Sequence, residues 1–126
     1  MTLAEVVKIL DCDVLTGADE LEMTVNTGCG CDLMSDVLAF IKSESLLLTG
    51  LNNTQAIRTA EIAEVKAVCF VRGKRPSSEM INLALSKGIV LLTTLLPMFE
   101  ACGKLFANGL AGCSSQMDSS RSSQAD

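Results

Sequence analysis

The sequence predicts an α/β protein in three layers, α/β/α, with helices on both faces of a mostly parallel sheet. Three short apolar segments, SLLLTG at 45–50, KAVCFV at 66–71 and IVLLTT at 89–94, do not alternate with polar residues. Such segments are typical of strands that are covered on both faces. Each is followed by a segment of about ten residues with helical periodicity, a pattern typical of right-handed βαβ units around a parallel sheet.

The N-terminal residues predict one helix and two further strands. Thr2-Leu3-Ala4-Glu5 matches a capping box, in which the hydroxyl and carboxylate satisfy free N–H groups at a helix start. We therefore expect a helix over residues 2–10. Val14-Leu15 is a candidate for a brief strand. Residues 21–28, LEMTVNTG, alternate between apolar and polar, which predicts a strand with one exposed face.

The remaining helices are marked by their ends and by their apolar faces. Asp32 is a suitable N-cap for the next helix, and Ser77 for a helix that runs through Ser86 and ends at Lys87-Gly88. The residues expected to face the core are Met34, Val37, Leu38 and Ile41 in one helix, Ala56, Ile57, Ala60 and Ala63 in the next, and Met98, Cys102, Leu105 and Phe106 in the last.

Length and composition predict one domain and a tail. The chain has 126 residues, 48% of them hydrophobic, which is enough for a single core without disulfide bonds. The last residues, SSQMDSSRSSQAD, are rich in serine and almost free of apolar side chains. A segment of this kind cannot offset its ordering entropy by burial. We expect a domain over residues 1–110 and a disordered Ser-rich tail over 111–126.

Charge and hydropathy predict a cytoplasmic protein that does not bind nucleic acid. The net charge of −5 repels phosphate backbones. No apolar segment reaches the roughly 18 residues of a membrane span, and the N-terminus lacks the apolar centre of a secretory signal. In the cytoplasm, the six cysteines are expected to be reduced thiols.

The residue types predict a non-enzymatic protein. Histidine and tyrosine are absent, which removes the usual general base and any Ser-His or Cys-His pair. The carboxylates form no suggestive pair. Neither GxxxxGK[ST] nor GxGxxG occurs, so no phosphate-binding loop supports a nucleotide site. We assign no catalytic residue and no cofactor.

The candidate ligand site lies where the strands end. Turns that follow parallel strands emerge at one sheet edge, and open α/β sheets bind ligands there. The candidate residues supply close backbone approach, hydroxyls, amides and cations for a small anionic or nucleotide-like ligand. They are Thr49, Gly50, Asn52, Asn53, Arg58, Arg72, Gly73, Thr93 and Thr94.

The same residues also suit purely structural roles. Gly50 and Gly73 would then supply turn geometry, and Asn52 or Asn53 would cap a helix. Arg58 has two interpretations as well, since it could reach back to the turn or pair with Glu61 or Glu64 on its own helix.

Cys29 and Cys31 suggest a second kind of site. Two thiols one residue apart could share a soft metal or belong to an iron–sulfur centre. A closed zinc site or a cluster needs about four ligands, however, and the chain has no second close pair of cysteines. Structural thiols are the alternative, and we assign no metal. Cys69 and Cys102 are expected to be small core residues.

The segment LLLTGLNNTQAIRTAEIAEVKAVCFVRGKRPSSEMINLALSKGIVLLTT resembles the DRTGG domain family. This small α/β module is related to the N-terminal domain of HPr kinase/phosphatase. The resemblance extends over about residues 1–110. The name-giving Asp-Arg corresponds to the region Asn52–Arg58, and Val71-Arg72-Gly73 stands where the family has Thr-Gly-Gly.

The resemblance implies a regulatory or sensing role. The chain is similar to short DRTGG-type proteins of anaerobic bacteria, often encoded beside iron-only hydrogenase genes, which implies a link to hydrogenase or energy metabolism. We therefore expect a regulatory or small-ligand-binding module that forms a homodimer. The alternative is a redox or metal accessory protein that uses Cys29 and Cys31.

Overall fold

The computed structural model describes residues 1–114, which form a three-layer α/β/α domain. The helices of this part of the chain are α1 (Leu3–Leu10), α2 (Met34–Phe40), α3 (Thr54–Ile62), α4 (Ser78–Lys87) and α5 (Met98–Ala107). The strands are β1 (Asp13–Thr16), β2 (Thr27–Gly30), β3 (Ser45–Thr49), β4 (Ala67–Phe70), β5 (Val90–Thr93) and β6 (Ala111–Gly112). A short 3₁₀ turn covers Ala18–Glu20.

The sheet is mostly parallel, which confirms the predicted fold class. Its six strands lie in the order β1-β5-β4-β3-β2-β6. Strands β2, β3, β4 and β5 are parallel neighbours, and β6 joins β2 in the same direction. Only the edge strand β1 is antiparallel. The three segments predicted as buried strands are therefore the centre of the sheet.

Two apolar cores explain why the central strands do not alternate. Leu46 and Leu48 face the core beneath α1 and α5, whereas Leu47 between them faces the core beneath α2, α3 and α4. All three side chains are buried. Each fully buried leucine contributes roughly 1.5–3 kcal/mol, so both faces of every central strand stabilise the fold.

Strand β2 lies unusually close to α5. A Cβ atom on Gly30 would lie 2.6 Å from Cys102 Sγ and 3.0 Å from Met98 Sδ. A larger residue at position 30 would therefore require the Cys102 and Met98 side chains to move. The same region contains an open groove of about 360 Å³ beside β6, lined by Leu105, Phe106 and Leu110 among others.

The predicted helix ends are confirmed at three places. Thr2 and Glu5 form the capping box. Ser77 caps α4 through a hydrogen bond from the N–H of Met80, and Gly88 ends that helix with φ of 67°. Local sequence signals therefore determine both ends of α4.

The predicted strand over residues 21–28 is wrong in its bounds. β2 covers Thr27–Gly30, and Thr24 makes an isolated bridge to Thr2. The carbonyls of Leu21 and Met23 accept the N–H groups of Ala4 and Leu3. These carbonyls therefore accept the free N–H groups at the start of α1. Because they are engaged there, they do not pair with a strand of the sheet.

The inward-facing set of α5 also differs from the prediction. Ala101 and Leu105 are buried, whereas Phe106 is 66% exposed at the rim of the groove beside β6. A step of one residue rotates the side chain by about 100° around the helix, which takes Phe106 off the buried stripe. Leu38 of α2 is exposed for the same reason.

A short strand lies just beyond the predicted boundary between the domain and the tail. β6 follows the boundary that the sequence predicts at residue 110. The remainder of the predicted tail, residues 115–126, lies outside the described residues. No helix of residues 1–114 is long and apolar enough to cross a membrane.

Candidate ligand-binding site at the carboxyl edge of the sheet

The structure brings the predicted turns together at one edge. Thr49 is level with Phe70 across β3 and β4, and Phe70 is level with Thr93 across β4 and β5. The turns that follow these strands are therefore neighbours. Adjacent strands lie about 4.8 Å apart, so four strand ends span about 14 Å, the length of a small ligand.

Asp32, which was not among the predicted site residues, also lies at this edge. One carboxylate oxygen, Oδ1, accepts the Thr49 hydroxyl at 3.0 Å and the Gly50 N–H at 2.7 Å. Its other oxygen, Oδ2, has no hydrogen bond within residues 1–114, and the side chain is exposed. The predicted N-cap role of Asp32 is wrong, because Leu33 precedes α2 and that helix start has no side-chain cap.

The order of the strands in the sheet explains why Asp32 contacts the Thr49-Gly50 turn and does not cap α2. Asp32 follows β2, and β2 is the parallel neighbour of β3, so its carboxylate emerges beside the Thr49-Gly50 turn. An acidic residue directly after a strand of a parallel unit was the signal available in the sequence. The position of Asp32 shortly before α2 had favoured a helix cap instead.

The three candidate threonines have structural partners. The Thr49 hydroxyl donates to Asp32 and accepts the Leu51 N–H at 3.1 Å. The hydroxyl of Thr93 donates to the Lys74 carbonyl, and that of Thr94 to the Leu10 carbonyl, each at 2.7 Å. All three are buried. The three hydroxyls therefore hold the turns of this edge in place.

Asn52 and Asn53 bridge the starts of α3 and α4. Asn53 caps α3 by accepting the Gln55 N–H at 2.9 Å. The Asn52 amide donates to the Arg75 carbonyl at 3.1 Å. A shallow groove of about 340 Å³ opens here, lined by Asn52, Asn53, Arg75 and Ser77 among others. The positive ends of two helix dipoles converge on it.

Arg72 has an unusual backbone conformation. Its φ is 61°, and the φ of Gly73 is 66°. Both N–H groups bond to the turn after β5, Arg72 to the Leu96 carbonyl at 2.9 Å and Gly73 to the Thr94 carbonyl at 2.7 Å. A non-glycine residue in this left-handed region costs roughly 1–2 kcal/mol. Arg72 adopts this destabilising conformation, and its side chain is exposed at the edge.

The other cations near this edge differ in whether they form an ion pair with an acidic side chain. Arg75 is paired with Asp13 at 2.9 Å. Arg58 is exposed and takes part in neither ion pair found within residues 1–114, because Glu61 pairs with Lys87 instead. The predicted pairing of Arg58 with Glu61 is therefore not present. Arg58 and Arg72 are the predicted cations that carry no ion pair among the described residues.

Exposed apolar side chains flank the edge. Leu95 and Phe99, in the turn after β5 and the first turn of α5, are each 84% exposed. Leu33, after β2, is exposed as well. A Cβ atom on Gly73 would lie 3.0 Å from Leu95 Cδ2, so Leu95 packs over the Arg72-Gly73 turn.

Cys29 lies within β2, and Cys31 follows that strand directly before Asp32. Burial, with a further contribution from Cys113, raises the pKa of Cys29 to about 12, so Cys29 is a neutral thiol at physiological pH. The Cys31 thiol donates to the Leu33 carbonyl at 3.4 Å. No group of three or more Cys, Asp or Glu side chains within residues 1–114 is arranged to hold a metal ion.

Comparison with known proteins gives the fold. No protein family matches the sequence, and no curated protein matches it either. Among solved structures, the chain is similar to the CBS and DRTGG domains of the regulatory region of Clostridium perfringens pyrophosphatase, complexed with its activator diadenosine tetraphosphate. The TM-score is 0.63, with 17% sequence identity over 79% of this chain and 44% of that one.

This likeness shows the fold. The mixed α/β architecture with a mostly parallel sheet is a DRTGG-like fold. The chain spans less than half the length of the pyrophosphatase regulatory region.

Proposed function

We propose that this protein is a non-enzymatic regulatory module that binds a small anionic ligand, a nucleotide in the first place, at the carboxyl edge of its sheet. One observation carries the proposal: Arg72 occupies a strained backbone conformation beside the Asp32-anchored turn, with its side chain exposed. Backbone strain of this kind is often found at functional sites.

The chemistry along the edge suits the parts of a nucleotide. Arg72 supplies a guanidinium for phosphate. Asp32 Oδ2 is an exposed acceptor for hydroxyl groups, the role that an acidic residue at the end of a strand has in dinucleotide-binding folds. The exposed Leu95 and Phe99 supply apolar surface for a base.

The structural neighbour gives independent support. It is the regulatory region of an enzyme in complex with a nucleotide activator. The chain is similar in fold to part of that regulatory region. The hydrogenase link and the cytoplasmic location stay predictions from the sequence.

Self-association is part of the proposal. Leu38 and Phe40 of α2 are exposed together with the preceding Leu33. Leu33 and Phe40 are seven positions apart and fall on one side of α2, and exposed apolar surface of this kind is typical of contact surfaces between protein chains. We expect a homodimer, and light scattering coupled to size exclusion would contradict this by giving a monomer at all concentrations.

Calorimetric titration tests the ligand proposal. The panel consists of AMP, ADP, ATP, diadenosine tetraphosphate, pyrophosphate and inorganic phosphate. We expect a nucleotide to bind and Arg72→Gln to weaken binding at least tenfold. Lys104→Gln removes an exposed cation of α5, outside the edge, and should leave the affinity unchanged. Equal losses in both variants would indicate only a general effect of charge.

The non-enzymatic part is tested on the same samples. A ligand incubated with the protein for hours should be recovered unchanged by chromatography. Conversion of the ligand at a rate that depends on protein concentration would contradict the proposal.

A further inference from the structure

The thiols of Cys12 and Cys69 lie side by side against the core beneath α1 and α5. Their sulfur atoms are 4.0 Å apart, although 57 positions separate them in the sequence. Cys69 lies in β4 with no exposed surface, within the core beneath α1 and α5. Cys12 lies between α1 and β1, partly buried against the same core.

We propose that Cys12 and Cys69 form an oxidisable pair, which a peroxide converts to an intramolecular disulfide. The bond requires the two sulfur atoms to approach from 4.0 Å to about 2.0 Å. The Cys12 backbone is held by a hydrogen bond from its N–H to the Val7 carbonyl at 3.0 Å, so the approach is assigned to the Cys12 side chain, which lies outside any helix or strand, directly after the left-handed residue Asp11. The central strand that carries Cys69 stays in place. This proposal does not rest on the proposed ligand.

The two thiols have different surroundings, which assigns their roles. The two thiols share a hydrogen bond in which either sulfur is able to donate, and this hydrogen bond lowers the pKa of Cys12. The same hydrogen bond, together with burial, raises the pKa of Cys69 well above its usual value. The partly exposed Cys12 is therefore the attacking thiolate, and Cys69 is the resolving thiol.

The oxidation proceeds in two balanced steps. The Cys12 thiolate attacks one oxygen of hydrogen peroxide, the O–O bond breaks and hydroxide leaves, which gives a sulfenic acid on Cys12. The Cys69 sulfur then attacks the Cys12 sulfur as its proton is lost, the S–O bond breaks and water leaves. The two thiols lose two electrons, and the peroxide is reduced to water. A dithiol reverses the change by thiol–disulfide exchange.

The other close thiols are expected to be less reactive. Cys29 lies near Cys113, but the raised pKa of Cys29 keeps it protonated. Cys102 donates to the sulfur of Met98 at 3.7 Å, and burial raises its pKa. A disulfide between Cys29 and Cys113 is therefore the competing product that the experiment must distinguish.

Peptide mapping of the oxidised full chain tests the proposal. The folded protein is treated with hydrogen peroxide, its remaining thiols are alkylated, and it is digested without reduction by trypsin and a glutamate-specific protease. These enzymes place Cys12 in Ile9–Glu20 and Cys69 in Ala67–Arg72, with one cysteine in each peptide. We expect these two peptides to be linked, and a dithiol to separate them.

Three variants and a second measurement complete the test. Cys12→Ser should abolish the link, and Cys69→Ala should leave a sulfenic acid on Cys12 that dimedone traps. Cys113→Ser is the matched control and should leave the link intact. Because Cys69→Ala alters a buried position, circular dichroism must first show that this variant is folded. The oxidised wild type should also melt at a higher temperature than the reduced protein, since the disulfide closes a long loop.

The outcomes separate clearly. Linked peptides that depend on Cys12 support the proposal. A sulfenic acid on Cys12 without a link in the wild type, a dominant link between Cys29 and Cys113, or six unmodified thiols would each overturn it.

Discussion

The carboxylate of Asp32 accepts the backbone N–H of Gly50 at 2.7 Å and thereby connects the ends of β2 and β3. The same oxygen accepts the Thr49 hydroxyl at 3.0 Å. A negatively charged side chain therefore already occupies one N–H group of this turn. A phosphate group is expected to bind further along the edge, toward Arg72.

Removal of the Asp32 carboxylate should destabilise the protein. Asp32→Ala loses two hydrogen bonds to a charged acceptor, each of which contributes roughly 1.5–3 kcal/mol. Because Asp32 is exposed and water replaces part of this interaction, we expect a loss of about 1–2 kcal/mol in urea unfolding. Asp19→Ala, at an exposed position in the 3₁₀ turn, is the control and should change stability by less than about 0.5 kcal/mol. Equal effects would show that the Asp32 contacts contribute nothing.

Glycine at position 72 should stabilise the fold and weaken ligand binding. Arg72→Gly relieves a left-handed residue, which should raise the free energy of unfolding by about 1 kcal/mol. Glu64 also has a positive φ, 60°, but it lies before β4, at the opposite edge of the sheet from Arg72. Glu64→Gly is therefore a matched control that should stabilise the protein similarly without a change in affinity. A destabilised Arg72→Gly variant, or one with the affinity of the wild type, would contradict this account of the strain.

Asn53 should matter more for stability than its neighbour Asn52. Asn53→Ala removes the N-cap of α3, which typically costs about 1 kcal/mol. Asn52→Ala removes one exposed side-chain hydrogen bond to the Arg75 carbonyl and should cost about 0.5 kcal/mol. Chemical unfolding of both variants checks the order. A larger loss for Asn52→Ala would mean that its link to the turn before α4 outweighs the cap.

The Cys29 thiol should resist alkylation in the folded state. With a pKa of about 12 instead of the usual 9, its thiolate population near pH 8 falls about a thousandfold. Timed labelling with iodoacetamide, read by fragment mass spectrometry, should show slow modification of Cys29 in buffer and rapid modification in urea. Equal rates in the two conditions would contradict the burial of this thiol.

The same pKa gives a pH dependence of stability. The folded state holds the Cys29 proton more tightly than the unfolded state does. The contribution of the neutral Cys29 thiol to the free energy of unfolding is therefore fully present below about pH 9, and it is lost as the pH rises toward about 12. In Cys29→Ala, the decline of stability above pH 9 should be shallower than in the wild type.

The architecture was predictable because it depends on patterns that are local in sequence. Continuous apolar segments such as that of β3 require cover on both faces, and the ends of α4 were marked by Ser77 and Gly88. The segment 21–28 could not be assigned correctly from its alternation. Its carbonyls bond to the start of α1, a contact between residues far apart in sequence.

The candidate site was predictable in place but less so in detail. The parallel order of the strands made it predictable that Gly50 and Arg72 follow strand ends at one edge, and their part in ligand binding stays a prediction. The inward hydrogen bond of Thr94 to Leu10 and the arrival of Asp32 beside Gly50 depend on how distant segments pack. The left-handed conformation of Arg72 likewise depends on the turn after β5, which accepts its N–H.

Backbone amide mapping by nuclear magnetic resonance tests the central claim most directly. The ¹⁵N-labelled protein is titrated with the nucleotide that binds most tightly in the calorimetric panel. We expect the largest shifts at Gly50, at Arg72-Gly73 and at Leu95, with smaller ones elsewhere. Shifts centred on the groove beside β6, near Phe106 and Leu110, or no shifts at millimolar nucleotide, would contradict a ligand site at the carboxyl edge.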